Sequence, residues 1–129
     1  MAVVRNDDVP EVPWRPGYRS FVLAGREHGL SCSSSLGILE PGAGAPLHVH
    51  SDADEIFVMM AGRLELRLGE ERQVVGAGHT ISIPAGTPHA FTALGPEPVR
   101  FIAFLSRTGA IAGATTYLEG TPPQGADRK

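Results

Sequence analysis

Glycine and proline interrupt this chain so often that a long helix has no room in it. Sixteen Gly and eleven Pro stand among 129 residues, about a fifth of the chain against a usual share of roughly 12%. An interior Pro removes a helical hydrogen bond and an interior Gly carries an entropic cost, so helical bundles and coiled coils are excluded. Between the breaks, apolar residues recur with period two. Arg63-Leu64-Glu65-Leu66-Arg67-Leu68 sets three leucines on one face and three charges on the other, the pattern of a half-buried strand. Thr80-Ile81-Ser82-Ile83 alternates in the same way, and further strands are predicted over 19–23, 30–39, 47–50, 55–60, 73–75, 89–94 and 99–105. Short strands at roughly ten-residue spacing predict an all-β sandwich or barrel. A hydrophobic share of 42% is enough for a packed core, and the length fits one domain.

Three stretches follow. Residues 1–17 carry Pro10, Pro13 and Pro16 around Trp14 and read as an extended arm lying on the domain surface. Residues 18–106 form the β-domain. Residues 107–129, rich in Gly, Ala and Thr, read as a partly flexible extension that frays from Gly120 onward. Two segments, Ile56-Phe57-Val58-Met59-Met60 and Phe101-Ile102-Ala103-Phe104-Leu105, are apolar on both faces and so need a second cover. The arm or a second protomer supplies it; the expectation is a homodimer.

Charge is uninformative about partners except by exclusion. Eleven basic and fourteen acidic residues are spread along the chain for a net charge of −3. No basic stripe of the kind a nucleic-acid binder needs is present. The apolar run Ile56 to Ala61 is too short to span a bilayer, and the first residues lack the apolar centre of a secretory signal. A cytoplasmic protein without membrane or nucleic-acid partners is expected. One cysteine, Cys32, excludes an internal disulfide framework and a cysteine-based zinc finger.

The five histidines are less evenly placed. His48 and His50 are two apart on a predicted strand, so their rings share a face. Glu55 opens the next strand across the polar turn Ser51-Asp52-Ala53-Asp54, and His89 opens another directly after the loop Pro84 to Pro88. Three imidazoles and a carboxylate suit Fe(II), Mn(II), Ni(II), Cu(II) or Zn(II), with no thiolate to select a soft ion. A hydrogen-bonded polar cluster is the plain alternative. His28 and His79 fall in a hairpin loop and a turn and read as surface residues.

These residues carry a family resemblance. Gly42-x5-His48-x-His50-x4-Glu55-x6-Gly62 resembles the first motif of the cupin superfamily at every fixed position, and Gly78-x5-Pro84-x-Gly86-x2-His89 resembles the second. The second motif departs at Ala93, where the family usually has Asn, and at His79, where many relatives are acidic. The resemblance covers residues 18–106. It implies a single-domain jelly-roll (cupin) β-barrel in which His48, His50, Glu55 and His89 hold one divalent transition metal per chain. The glycines fit without the family: Gly42, Gly62, Gly78 and Gly86 stand at strand ends, where positive φ or close backbone approach is needed.

Alternation extends the site. With Glu55 inward, Phe57 and Met59 face inward, and His89 does the same for Phe91. On the strand over 30–39, Leu36 and Ile38, or Leu30 and Cys32, are expected to line the barrel. No inward Arg or Lys is evident, so a small, largely apolar substrate chelating the metal through oxygen is expected, with Tyr18 and Trp14 as candidates to close the mouth. A fold of this type hosts many chemistries. The resemblance to quercetin dioxygenase-like cupins implies a mononuclear non-haem Fe(II) dioxygenase with Glu55 as base. The segment Pro46 to His50 with Asp54-Glu55-Ile56-Phe57 also resembles small cupins of aromatic polyketide pathways, which implies a redox-neutral Zn(II) or Mn(II) cyclase or isomerase. A non-enzymatic small-molecule binding module is the third reading.

Overall fold

The period-two alternation resolves into two antiparallel sheets. The computed structural model describes residues 3–126; Met1, Ala2 and residues 127–129 of the tail expected to fray lie outside the described residues. The strands are β1 (Glu11–Arg15), β2 (Tyr18–Ala24), β3 (Ser33–Leu39), β4 (Gly44–His50), β5 (Glu55–Ala61), β6 (Arg63–Leu68), β7 (Glu71–Gly76), β8 (Thr80–Ile83), β9 (His89–Leu94) and β10 (Val99–Leu105). A single helical turn, α1 (Ala110–Gly113), leads into β11 (Thr115–Tyr117). One sheet has the order β1-β2-β3-β10-β5-β8 and the other β11-β4-β9-β6-β7, the all-β, two-sheet architecture of a jelly roll. Among the described residues no helix is long and apolar enough to cross a membrane.

The core lies between the sheets and is built from the inward set of each strand. Leu64 and Leu66 of β6 are buried, as are Phe57 and Met59 of β5, Phe91 of β9 and Phe101 of β10. Phe57, Phe91 and Phe101 meet edge-on, with ring centroids 4.7–5.8 Å apart, a geometry aromatic rings favour.

Strand β3 corrects an expectation. Its buried residues are Ser33, Ser35, Gly37 and Leu39, so neither Leu36 and Ile38 nor Leu30 and Cys32 line the interior. The reason is volume. Phe101 on the neighbouring strand occupies the place a side chain at position 37 would fill; a Cβ there would lie 2.2 Å from its ring. A glycine on the inward face admits the phenylalanine, and the register of the whole strand follows from it.

Both chain ends, read from the sequence as an extended arm and a partly flexible extension, carry a strand that joins a sheet. Glu11–Arg15 of the supposed arm pairs with β2 as an edge strand. In the C-terminal extension, β11 pairs with β4, matching Thr115 to His50 and Tyr117 to His48. The two ends touch: the Gln124 amide donates to the Trp14 carbonyl, and the Arg15 guanidinium donates to the Thr121 carbonyl at 2.6 Å. The loop read over Pro41–Pro46 is shorter, because β4 begins at Gly44.

The outer face of the six-stranded sheet stays apolar. Ile56, Val58, Met60 and Phe104 are 41–59% exposed. Strand β1 extends the far edge of that sheet, beyond β2 and β3, so the N-terminal arm is not the cover expected for β5 and β10.

Candidate metal centre

The four candidate ligands come from three strands and both sheets. His48 and His50 stand on β4, and His89 opens β9, directly across from His48 in the ladder. Glu55 opens β5 in the facing sheet. Two contacts align the loop that delivers His89: the Ala85 amide donates to the Asp54 carboxylate at 2.8 Å, and the Gly86 amide to the His50 carbonyl at 2.8 Å. Gly86 makes that turn at φ +82°, a conformation L side chains rarely adopt.

The ring orientations are set from behind. His48 Nδ1 lies 2.7 Å from the Pro46 carbonyl and His89 Nδ1 lies 3.0 Å from the Thr87 carbonyl. A carbonyl only accepts, so both Nδ1 atoms carry the proton. His50 Nδ1 meets Thr115 Oγ1 at 2.7 Å, and that hydroxyl in turn donates to the Ala110 carbonyl at 2.6 Å. The Thr115 oxygen is thus left to accept from His50. In the neutral ring each Nε2 then bears a lone pair.

The ligand atoms of His48, His50, Glu55 and His89 lie within 4.8 Å of one another. His89 Nε2 is 3.2 Å and His50 Nε2 is 3.3 Å from the same oxygen, Glu55 Oε1. His50 Nε2 is off the direction a hydrogen bond needs and has no such partner in the protein. His50, His89, His48 and Glu55 are at most 7% exposed. His89 Nε2 is within hydrogen-bond reach of Glu55 Oε1, and four buried ligand atoms converge on one point, an arrangement a cation satisfies and an apolar core does not. The donor set of three imidazoles and one carboxylate fits a divalent transition metal.

Electrostatics agree with that reading. Burial lowers His48 to about 4, helped by the neighbouring His89, so the ring stays neutral and available as a ligand. Burial alone would raise Glu55, yet His50 and His89, which favour its charged form when they carry the Nε2 proton, hold its carboxyl well below the usual carboxylate range.

Around the cluster is a small cavity of about 30 Å³, room for a water or two. Phe57 and Phe91 line it, as alternation predicts, with Ser33, Ser35, Tyr18, Trp14, Arg15 and Tyr117. Met59, expected beside them, is buried in the hydrophobic core. His79 is exposed, and His28 accepts from the Gly25 amide within its own turn; neither joins the cluster. Sequence reasoning missed Thr115, Tyr117 and Arg15. Tyr117 stacks on the His48 ring at 5.1 Å and 16°. The run Thr115-Thr116-Tyr117, β-branched and aromatic, was the available signal for a short strand.

Comparison with known proteins agrees with fold and site. Residues 35–105 match the cupin domain family. That is more than half of the chain, which therefore belongs to the cupins. It is 48% identical over 46 residues to quercetin 2,3-dioxygenase of Bacillus subtilis, covering 36% of this chain and 14% of that one. It is 32% identical over 74 residues to an uncharacterized protein of Methanocaldococcus jannaschii, covering 57% of this chain and 59% of that one. The chain thus spans well under two thirds of either curated relative. Among solved structures, the polyketide cyclase RemF of Streptomyces resistomycificus superposes with a TM-score of 0.76 over 99% of this chain and 91% of that one, at 19% identity.

Two outcomes follow. Thr115→Val removes the acceptor behind His50, and metal affinity is expected to fall about 10- to 100-fold; Thr115→Ser should retain it, as read by competition with a chromogenic chelator. The second concerns pH. An unfolded chain protonates His48 near 6.5, whereas the folded site resists the proton down to about 4. The unfolded state therefore binds more protons across that window, and folding stability falls as pH drops through it. Glu55 adds to the loss in the same direction below its ordinary value of 4.5. Metal-free protein should lose about 3 kcal/mol between pH 7 and pH 4 through His48, measured by urea unfolding at each pH.

Proposed function

We propose that the protein is a metal-dependent cupin enzyme acting on a small organic substrate that bears oxygen, and that it is a mononuclear non-haem iron dioxygenase. The observation that carries this reading is the convergence of the four buried ligand atoms of His48, His50, Glu55 and His89 within 4.8 Å of one another, with each Nδ1 held from behind. The identity shared with quercetin 2,3-dioxygenase supports the oxygenase branch. His48, His50, Glu55 and His89 would hold one divalent ion per chain, Fe(II) first, with Zn, Mn or Ni as the other candidates. Bound there, Fe(II) supplies one-electron and dioxygen chemistry.

The chain's own residues supply the rest. Glu55, deprotonated over the whole physiological range, is placed to take a proton from a substrate hydroxyl at Oε1 or Oε2. Phe57 and Phe91 keep the cavity apolar on one side, which excludes bulk water and strengthens charge interactions inside. A redox-neutral cyclase or isomerase using Zn(II) or Mn(II) is the second reading, supported by the match to RemF over nearly the whole chain.

Metal analysis of protein purified without oxygen, followed by oxygen uptake with flavonol and β-diketone substrates, separates the two. The expected result is about one iron per chain and substrate-dependent uptake. Zinc in its place, with no uptake after iron loading, would favour the redox-neutral reading. His89→Ala should lose most bound metal while His28→Ala keeps it; stoichiometric metal in His89→Ala would overturn the ligand set.

The homodimer belongs to the same proposal. Ile56, Val58, Met60 and Phe104 form an apolar outer face that the chain itself leaves open, and a second copy would cover it. Sedimentation at micromolar concentration should give a dimer, and Phe104→Glu with Val58→Glu should give a monomer.

A further inference from the structure

The lining of the cavity at the candidate metal cluster contains a charge that the apolar reading of the site did not include. Arg15, from the end of β1, is the one Lys or Arg among the described residues that line the cavity. Its guanidinium lies 5.4 Å over the Tyr117 ring and interacts with the Tyr117 hydroxyl. Its firmest partner is a backbone carbonyl, that of Thr121 at 2.6 Å. Among the described residues no carboxylate pairs with it. A partly buried guanidinium has five donors and binds planar oxyanions in preference to neutral acceptors. Here it holds a neutral acceptor and keeps donors free.

Its neighbours favour the same kind of ligand. Tyr18 and Tyr117 both line the cavity. A phenol hydroxyl is a hydrogen-bond donor. Tyr18 is fixed by Trp14, which hydrogen-bonds to it and packs edge-on at 6.2 Å. The charge balance points the same way. A divalent ion held by three neutral imidazoles and Glu55 would leave a net +1 at the cluster, and Arg15 adds a second positive charge to the cavity lining.

We infer that Arg15 is the anion anchor of this site, and that the ligand is a small organic acid with a metal-binding oxygen at one end and an acidic oxygen, carboxylate or enolate, at the other. The inference rests on the metal-binding reading above and narrows its substrate class. The cavity as built admits only water-sized occupants, so the ligand enters by displacing the Thr121 carbonyl from Arg15. That bond ties β1 to the C-terminal extension, so its exchange for a ligand oxygen releases a tie between the chain ends as the acid binds.

The test uses binding, not turnover. Nickel-loaded full-length protein is titrated calorimetrically with malonate, succinate and glutarate, each against its monoamide, which keeps shape and removes the distal charge. At one chain length the diacid should bind at least tenfold more tightly than the monoamide. Arg15→Met should abolish that preference, and Arg15→Lys should keep part of it. If Arg15 merely pins Thr121, Arg15→Met weakens diacid and monoamide alike, and the inference fails. It fails equally if the wild type shows no preference at any length, or if the preference survives in Arg15→Met. Nickel stoichiometry, measured on every variant, reports the metal site separately. Intact nickel binding with no charge preference overturns the anchor and leaves the metal centre standing; absent nickel binding in the wild type overturns both. Oxygen uptake with iron-loaded protein judges the dioxygenase reading independently.

Discussion

Four buried ligand atoms converging on one point hold this structure's meaning. Each of the three imidazoles has its Nδ1 held by an acceptor behind it, a carbonyl or the Thr115 hydroxyl, which turns the other nitrogen toward a buried carboxylate. Without a cation or protons the cluster is a repulsive, poorly solvated set of acceptors in the interior, at a cost that grows as the local dielectric falls. It also spans the sandwich: the histidines belong to the five-stranded sheet and Glu55 to the six-stranded one. Whatever satisfies the cluster therefore ties the two sheets together, and metal binding and folding stability are coupled.

The rest of the architecture can be read as support for that point. The Pro84–Pro88 loop is pinned to the turn before Glu55 through Asp54 and to the His50 carbonyl, so the ligands from β4, β5 and β9 arrive as one unit. The phenylalanines of β5, β9 and β10 fill the space beneath it, with Gly37 giving Phe101 its place. Both chain ends contribute to the cavity lining. Strand β1 brings Trp14 and Arg15, while β11 brings Thr115 and Tyr117, and the Arg15–Thr121 and Gln124–Trp14 bonds join them. Segments that composition reads as an arm and a partly flexible extension supply Trp14, Arg15 and Tyr117 to the lining of the site.

Much of the centre was legible in the sequence, for identifiable reasons. Strand alternation places His48 and His50 on one face and carries Phe57 inward with Glu55. A glycine that must adopt positive φ, such as Gly86, marks where a loop hands over to a ligand-bearing strand. These are short-range rules, and they hold because a half-buried strand tolerates no slip of one residue. They failed on β3. There the inward face is Ser33, Ser35 and Gly37, because a bulky residue on a neighbouring strand, not hydrophobicity along β3 itself, decided the register. They also missed Arg15, since a Pro-rich, charged stretch offers no periodicity to say which side chain turns inward.

By itself, then, the sequence determined the class of fold and the identity of the four donors. Dense Gly and Pro forbid long helices, period-two alternation selects strands, and motif spacing brings His48, His50, Glu55 and His89 to matching strand positions. Tertiary structure alone decided how those donors are oriented and what else faces them. Thr115 lies 65 residues from the His50 ring it sets, and Arg15 lies 106 residues from the carbonyl it holds. Contacts of that range depend on how sheets stack and where chain ends dock, and no local pattern encodes either.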